Sequence, residues 1–297
     1  MVKSISYKIK REFIRLKTKI KYRKNKNLQR KIYDRIRDAL IQKIIDLKIK
    51  KEKFCVSYSV FDGYELLRKS IESIRESADY INVVYQKVSW YGTPADEKLL
   101  PALNELKQSG LIDELIEFSP DFKRRAGENE RIKRNLGLKY VKKAGGTYFM
   151  TMDTDEFFIR EEVEAAKRKL IENEITHSYC PIVVYGLKPT ERLLSPCSLS
   201  VQFFSKIKRK SYLGKNNRAI ALVDPTRCLS DFSNAKYYYF PGCQMHHMMY
   251  IRKDVDAKMK CSSNTHANKI SRKMIEKRLG GIPKAIEPNR FNVPDFL

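Results

Sequence analysis

Thr147-Tyr148-Phe149-Met150-Thr151-Met152-Asp153-Thr154-Asp155-Glu156-Phe157-Phe158 decides how this chain is read. Thr147 to Met152 carries no charge and is rich in aromatic and β-branched residues, the composition of a strand buried on both faces. Gly145-Gly146 stands just before it and stops the basic helical pattern of Arg124 to Lys143. The strand then runs straight into two aspartates. Helix, glycine turn, buried strand and acidic end form one crossover of a parallel sheet.

The same alternation extends upstream. Phe54 to Val60 reads as a strand closed by Asp62-Gly63, and Tyr64 to Ser77 as a helix with Leu66, Leu67, Ile71 and Ile74 on one face. Ile81 to Tyr85 is a strand, Pro101 to Ser109 a helix, and Leu115 to Phe118 a short strand. A mixed α/β fold follows, its mostly parallel central sheet flanked by helices. Ligands of such sheets bind beyond the carboxyl ends of the strands, which puts Asp62 and Asp153 on one rim. Downstream, Glu161 to Asn173 is helical, Ser178 to Tyr185, Ser200 to Phe204, Ile220 to Val223 and Tyr237 to Phe240 are short strands, and Lys269 to Arg278 is a helix.

Asp-x-Asp recurs at Asp254-Val255-Asp256, so context must separate the two copies. Asp254 and Asp256 lie among Arg252, Lys253, Lys258 and Lys260, as on a solvated helix face, whereas Asp153 and Asp155 sit where a buried strand surfaces. Two carboxylates at that position suit a hard cation facing a diphosphate, because the cation neutralises charge that develops on oxygen as a bond breaks. A calcium loop of the EF-hand type is excluded, since Phe158 stands where glycine is required. The bland alternative is that the aspartates cap a following helix, with Glu156 in its first turn. A second constellation is Gln244-Met245-His246-His247-Met248-Met249-Tyr250. On an extended segment its two histidines face opposite ways, so one of them would reach a metal, with His247 marginally favoured over His246. Lys258 and His266 follow at spacings that could fold back over a diphosphate.

Of the 297 residues, 42% are hydrophobic, which excludes wholesale disorder. Residues 1–53 hold 20 Lys and Arg against 5 Asp and Glu, so +15 of the net +25 falls on this arm. Helical apolar spacing runs through Ser4 to Lys21 and again through Leu28 to Ile49. The arm is either a helix packed with a solvated basic face or a dock for an anionic membrane surface. Nucleic acid is disfavoured as a partner, for want of any recognisable nucleic-acid-binding motif. The six cysteines, Cys55, Cys180, Cys197, Cys228, Cys243 and Cys261, show no zinc spacing and read as reduced thiols. With no signal-peptide pattern after Met1 and no apolar run of membrane-spanning length, the expected location is cytoplasmic, or peripheral on the inner face of the cell membrane.

The run from Asn135-Leu136-Gly137-Leu138 through Gly145-Gly146 to Asp153-Thr154-Asp155-Glu156-Phe157 resembles bacterial family-2-like glycosyltransferases. The segment His246 to Lys253, with Lys258 and His266, is similar to the C-terminal metal and phosphate region of related transferases. The resemblance covers about Phe54 to His266. It implies a GT-A fold over residues 54–270, with a basic helical arm at 1–53 and a C-terminal helix and tail at 271–297. It also implies a nucleotide-sugar donor, Mn2+ or Mg2+ as cofactor, and inversion by a single displacement helped by a carboxylate base. Asp153 would face ribose or metal, Asp155 would be the principal metal ligand, and Ser59 to Asp62 would meet the nucleotide. Where the family carries its base this sequence shows no clear motif, leaving Asp231 and Glu191. With the basic arm, the resemblance suggests a glycan or glycolipid acceptor of the lipooligosaccharide or capsule type. The competing functions are a metal-dependent nucleotidyl- or phosphotransferase and a non-enzymatic basic binding module. Asp155→Ala is expected to abolish turnover while sparing the fold.

Overall fold

The computed structural model describes residues 26–194, 199–214, 224, 226–230, 234–263 and 269–296. Contacts divide the chain into two units, 1–51 and 52–297. In the first, helix α1 (Lys26–Ile49) has no acidic residue in its first turn and Lys48 in its last. The helix expected over Ser4 to Lys21 lies outside the described residues, as do Ile220 to Val223, Cys197, Asp231 and His266. No helix among the described residues is long and apolar enough to cross a membrane.

The second unit is a mixed α/β fold. It opens with β1 (Phe54–Val60), α2 (Tyr64–Arg75), β2 (Tyr80–Tyr85), α3 (Leu99–Gln108), β3 (Glu114–Glu117), α4 (Ala126–Lys143) and β4 (Tyr148–Met152). These strands pair in parallel in the order β3-β2-β1-β4, and β9 (Ser205–Lys206) closes the β4 edge antiparallel. β1, β2 and β4 are almost wholly buried, which is why their sequences are apolar runs without alternation. Leu66, Leu67, Ile71 and Ile74 of α2 are fully buried, as their helical spacing demands. α4 crosses so close to β1 that a Cβ on Gly137 would stand 1.9 Å from Ser57 Oγ. That crossing is sealed by Asn82 Nδ2, which donates to the Gly137 carbonyl at 3.0 Å.

After β4 come β5 (Glu156–Phe157), α5 (Arg160–Glu172), β6 (His177–Val184), β7 (Glu191–Leu193), β8 (Ser200–Gln202), β10 (Tyr237–Tyr239), β11 (Met245–His247), α6 (Val255–Lys260), α7 (Arg272–Gly280) and β12 (Lys284–Ile286). A second sheet runs β10-β6-β11-β5 with β8 on β6, and β12 pairs with β7. The strand expected over Ser200 to Phe204 is cut to Ser200–Gln202. Phe203 and Phe204 leave it to fill the core, where Phe204 meets Phe54 edge-on at 5.2 Å. β5, β7, β11 and β12 are too short to leave a period in the sequence.

Candidate functional site

β1 and β4 are parallel neighbours with Tyr58 beside Met152, so the turn after β1 and the aspartates after β4 share the carboxyl rim. The aspartates do not cap a helix. They form the turn from β4 into β5, and α5 starts only at Arg160. Glu156 accepts from the Asp153 backbone amide at 3.0 Å and is fully buried, which makes it a brace for this turn. β11 pairs antiparallel with β5, His247 opposite Glu156, and the Met248 amide donates to the Asp155 carbonyl at 2.9 Å. A segment far along the chain is thereby pinned to the acidic turn.

The pairing settles which histidine faces the carboxylates. His247 Nε2 stands 3.6 Å from Asp155 Oδ1. His246 points the other way, into the core, where its Nδ1 meets the Tyr185 hydroxyl at 2.9 Å and its ring lies 5.1 Å from Phe291. Burial, helped by Arg290 and Arg192, lowers the His246 pKa to about 4, so its ring is neutral in the fold.

Each aspartate is met by two cations. Arg134 Nη2 reaches both Asp153 oxygens at 3.0 and 3.2 Å, and Arg227 bonds Asp153 Oδ2. Arg227 also pairs with Glu156 at 2.6 Å. Arg252 Nη2 donates to Asp155 Oδ2 at 2.7 Å, and Lys258 bonds the same oxygen. Burial alone would raise both aspartate pKa values. For Asp153 the Arg134 and Arg227 guanidiniums reverse this, and for Asp155 Lys258, Arg252 and His247 do, so both carboxyls are held below the usual range and ionised. In Glu156 burial wins over Arg227, and its pKa is raised. The two aspartates differ in access: 31% of the Asp153 side chain is exposed, against 2% for Asp155.

A cavity of about 170 Å³ opens beside Asp155, lined by Asp62, Gly63, Thr93, Arg252, Lys253 and Lys258 among others. Lys133 is buried behind this rim, donating to the Val60 carbonyl at 2.7 Å and to Gln86 Oε1 at 3.0 Å. Burial, with Arg134 next to it, lowers its pKa to about 7.

Asp155 Oδ1 and His247 Nε2 are too far apart to hydrogen-bond, yet close enough to be two ligands of one cation that takes oxygen or nitrogen at roughly 2.0–2.2 Å. No group of three His, Cys, Asp or Glu side chains surrounds one point among the described residues. Asp155 and His247 thus fall short of a closed set of protein ligands. Both Asp153 oxygens are already engaged by arginine.

No protein-family model and no curated protein matches the chain. Among solved structures it is similar to S. aureus TarS in complex with UDP-GlcNAc, at 15% identity and TM-score 0.34, over 50% of this chain and 38% of that one. It is also similar to GalNAc-T7 with UDP, GalNAc and Mn2+, at 10% identity and TM-score 0.41, over 68% of this chain and 45% of that one. The chain spans less than half the length of either structure, and at these scores the likeness decides nothing about activity.

Of the residues singled out from sequence, Asp62, Asp153, Asp155, His247 and Lys258 gather at one rim, and Ser59 lies just behind it in β1. His246 and Glu191 do not join them. Glu191 sits on β7, bonded by Lys284 of β12 at 2.8 Å. Arg134, Arg227 and Lys133 escaped the sequence reading. For Arg134 and Lys133 a signal existed, since both share the α4 face that carries Gly137, Leu138 and Val141 into the core. Arg227 had none, because a lone arginine in a polar loop resembles every other.

Proposed function

We propose that the chain is a GT-A glycosyltransferase that moves a sugar from a nucleotide-sugar donor to a glycan or glycolipid acceptor with Mn2+ or Mg2+. The supporting observation is the site at the sheet rim. An ionised Asp155 faces His247 on one side and shares Arg252 and Lys258 with an adjoining cavity on the other. Asp155 and His247 would hold the cation, which supplies charge neutralisation for a departing diphosphate. Arg252 and Lys258 add fixed positive charge where that leaving group would carry its own, in a setting where burial strengthens the effect. Asp62 and Ser59, at the end of β1, would meet the nucleoside. Asp153, engaged by Arg134 and Arg227, keeps an exposed edge suited to accept from a ribose hydroxyl.

A nucleotidyl- or phosphotransferase using two cations needs both aspartates free to share them, and the arginines on Asp153 favour the one-cation reading. Inversion requires a carboxylate base. With Glu191 bonded by Lys284 away from the rim, Asp231→Asn tests the remaining candidate, because a variant lacking the base loses transfer yet keeps slow donor hydrolysis.

Residues 1–53 would dock on an anionic membrane surface from the cytoplasmic side. Within α1, Ile41, Ile44 and Leu47 are exposed, with Lys43 and Lys48 next to Ile44 and Leu47 in sequence. Binding to vesicles with anionic lipid should fall steeply between low and high salt, and salt-independent binding would refute the electrostatic dock. For the enzyme itself, the decisive assay is nucleotide release from a panel of nucleotide-sugars with Mn2+ or Mg2+. The reading fails if no donor is turned over, or if chelation leaves turnover unchanged.

A further inference from the structure

Arg252 is 4% exposed, and its guanidinium lies where three chain segments meet. Nη2 donates to Asp155 Oδ2 at 2.7 Å and to Thr154 Oγ1 at 3.2 Å, and stands 3.9 Å from Asp62 Oδ1. Nε and Nη1 are buried without a hydrogen-bond partner among the described residues. A guanidinium is rarely buried with donors unpaired, because each unmade bond costs about 1–3 kcal/mol. Something other than its own satisfaction keeps it there.

Residue 63 makes the seat. A Cβ on Gly63 would fall 1.4 Å from Arg252 Nη1 and 2.4 Å from Thr154 Oγ1. No side chain larger than hydrogen coexists with the guanidinium in that position. Gly63 also has φ +70°, so one glycine serves both the turn and the seat. Once seated, Arg252 pulls on Oδ2 of Asp155 together with Lys258, which leaves Oδ1 turned to His247.

We infer that Arg252 is a positioning residue. It is locked into a keyhole made by Gly63, and it fixes the Asp155 carboxylate in the orientation that faces His247. The turn after β1, the nucleoside side of the proposed site, is thus mechanically joined to the proposed cation ligand after β4. The consequence for cation binding rests on the function proposed above, whereas the consequence for Asp155 geometry does not.

The test uses the full chain and the variants Arg252→Lys, Gly63→Ala, the double variant and Gly110→Ala. Gly110 has φ +71° with nothing within 4 Å of its would-be Cβ, so it reports backbone strain without the clash. Free Mn2+ is followed by its electron paramagnetic resonance signal. Arg252→Lys and Gly63→Ala should each weaken Mn2+ binding roughly tenfold or more, as loss of a ligand's supporting partner does. The double variant should be no weaker than the worse single, because both remove the same support. Gly110→Ala should bind as wild type. Crystals of Arg252→Lys and Gly63→Ala should show the Asp155 carboxylate turned from His247. Unchanged Mn2+ affinity in Arg252→Lys, or additive losses in the double variant, would overturn the inference. If wild type takes up no Mn2+, the cation reading falls, and the Asp155 rotamer alone decides: an unmoved carboxylate in both crystals refutes the keyhole.

Discussion

The two halves of the second unit are built on different principles. From β1 to β4 the strands, short β3 apart, are almost wholly buried, each helix crosses back over its neighbour, and the register is carried by continuous apolar runs. From β5 onward the strands are two to eight residues long, and partners lie far apart in sequence. The first half supplies the rim, the carboxylates and Arg134, the second Arg227, Arg252, Lys258 and the histidine that faces Asp155. A regular sheet thus holds a charged site whose opposite side is assembled from irregular chain. Local periodicity reveals the first kind of structure, and only long-range packing creates the second.

The largest expected effect tests whether the second half completes the site. Asp155→Asn keeps the volume and an acceptor for Arg252 but removes the charge, and donor turnover should fall by about 10³ or more. A loss under tenfold would separate the two halves functionally.

Stability divides the halves next. Phe149→Ala, in the middle of β4 and fully buried, should cost about 3–5 kcal/mol in urea unfolding. Asp155→Ala should cost a comparable 3–5 kcal/mol, since it leaves buried Arg252 beside Lys258 with no carboxylate between them. Against the expectation that this substitution spares the fold, the ion pairs of buried Asp155 with Arg252 and Lys258 predict a loss of stability as well. Asp153→Ala should cost less, its side chain being one-third exposed.

The smallest effect concerns pH. The folded pKa of His246, about 4, lies below the ordinary 6.5, so the unfolded chain binds the extra proton across that window. Stability is therefore lost as pH falls from about 6.5 to 4, by up to about 3 kcal/mol from this group. The raised pKa of Glu156 acts with opposite sign, its contribution fading as pH rises. Comparing His246→Gln with wild type in the same buffers isolates the histidine. Equal slopes would show that β11 does not bury it as tightly as the first half buries its core.

The fold of the first half was legible almost to the residue. Phe54 to Val60 is a strand at its expected bounds, and α2 buries the four apolar side chains that its spacing assigned. Asp153 and Asp155 were legible as carboxylates at the end of a buried strand, and alternation along a strand implied that one of His246 and His247 would face them without saying which. Arg227 was not, since nothing local distinguishes a guanidinium that will meet Asp153 and Glu156 from one left in water.

By itself the sequence determined a parallel α/β sheet with two carboxylates at its rim, because hydrophobic period and glycine punctuation are local and cumulative. Tertiary structure alone decided which side chains neutralise those carboxylates and which histidine faces them. It also decided that Gly63 must lack a side chain for Arg252 to sit where it does. Arg134 apart, 19 positions from Asp153, the ion pairs of these carboxylates and the steric exclusion join residues 74 or more positions apart, and no local window of sequence contains both partners.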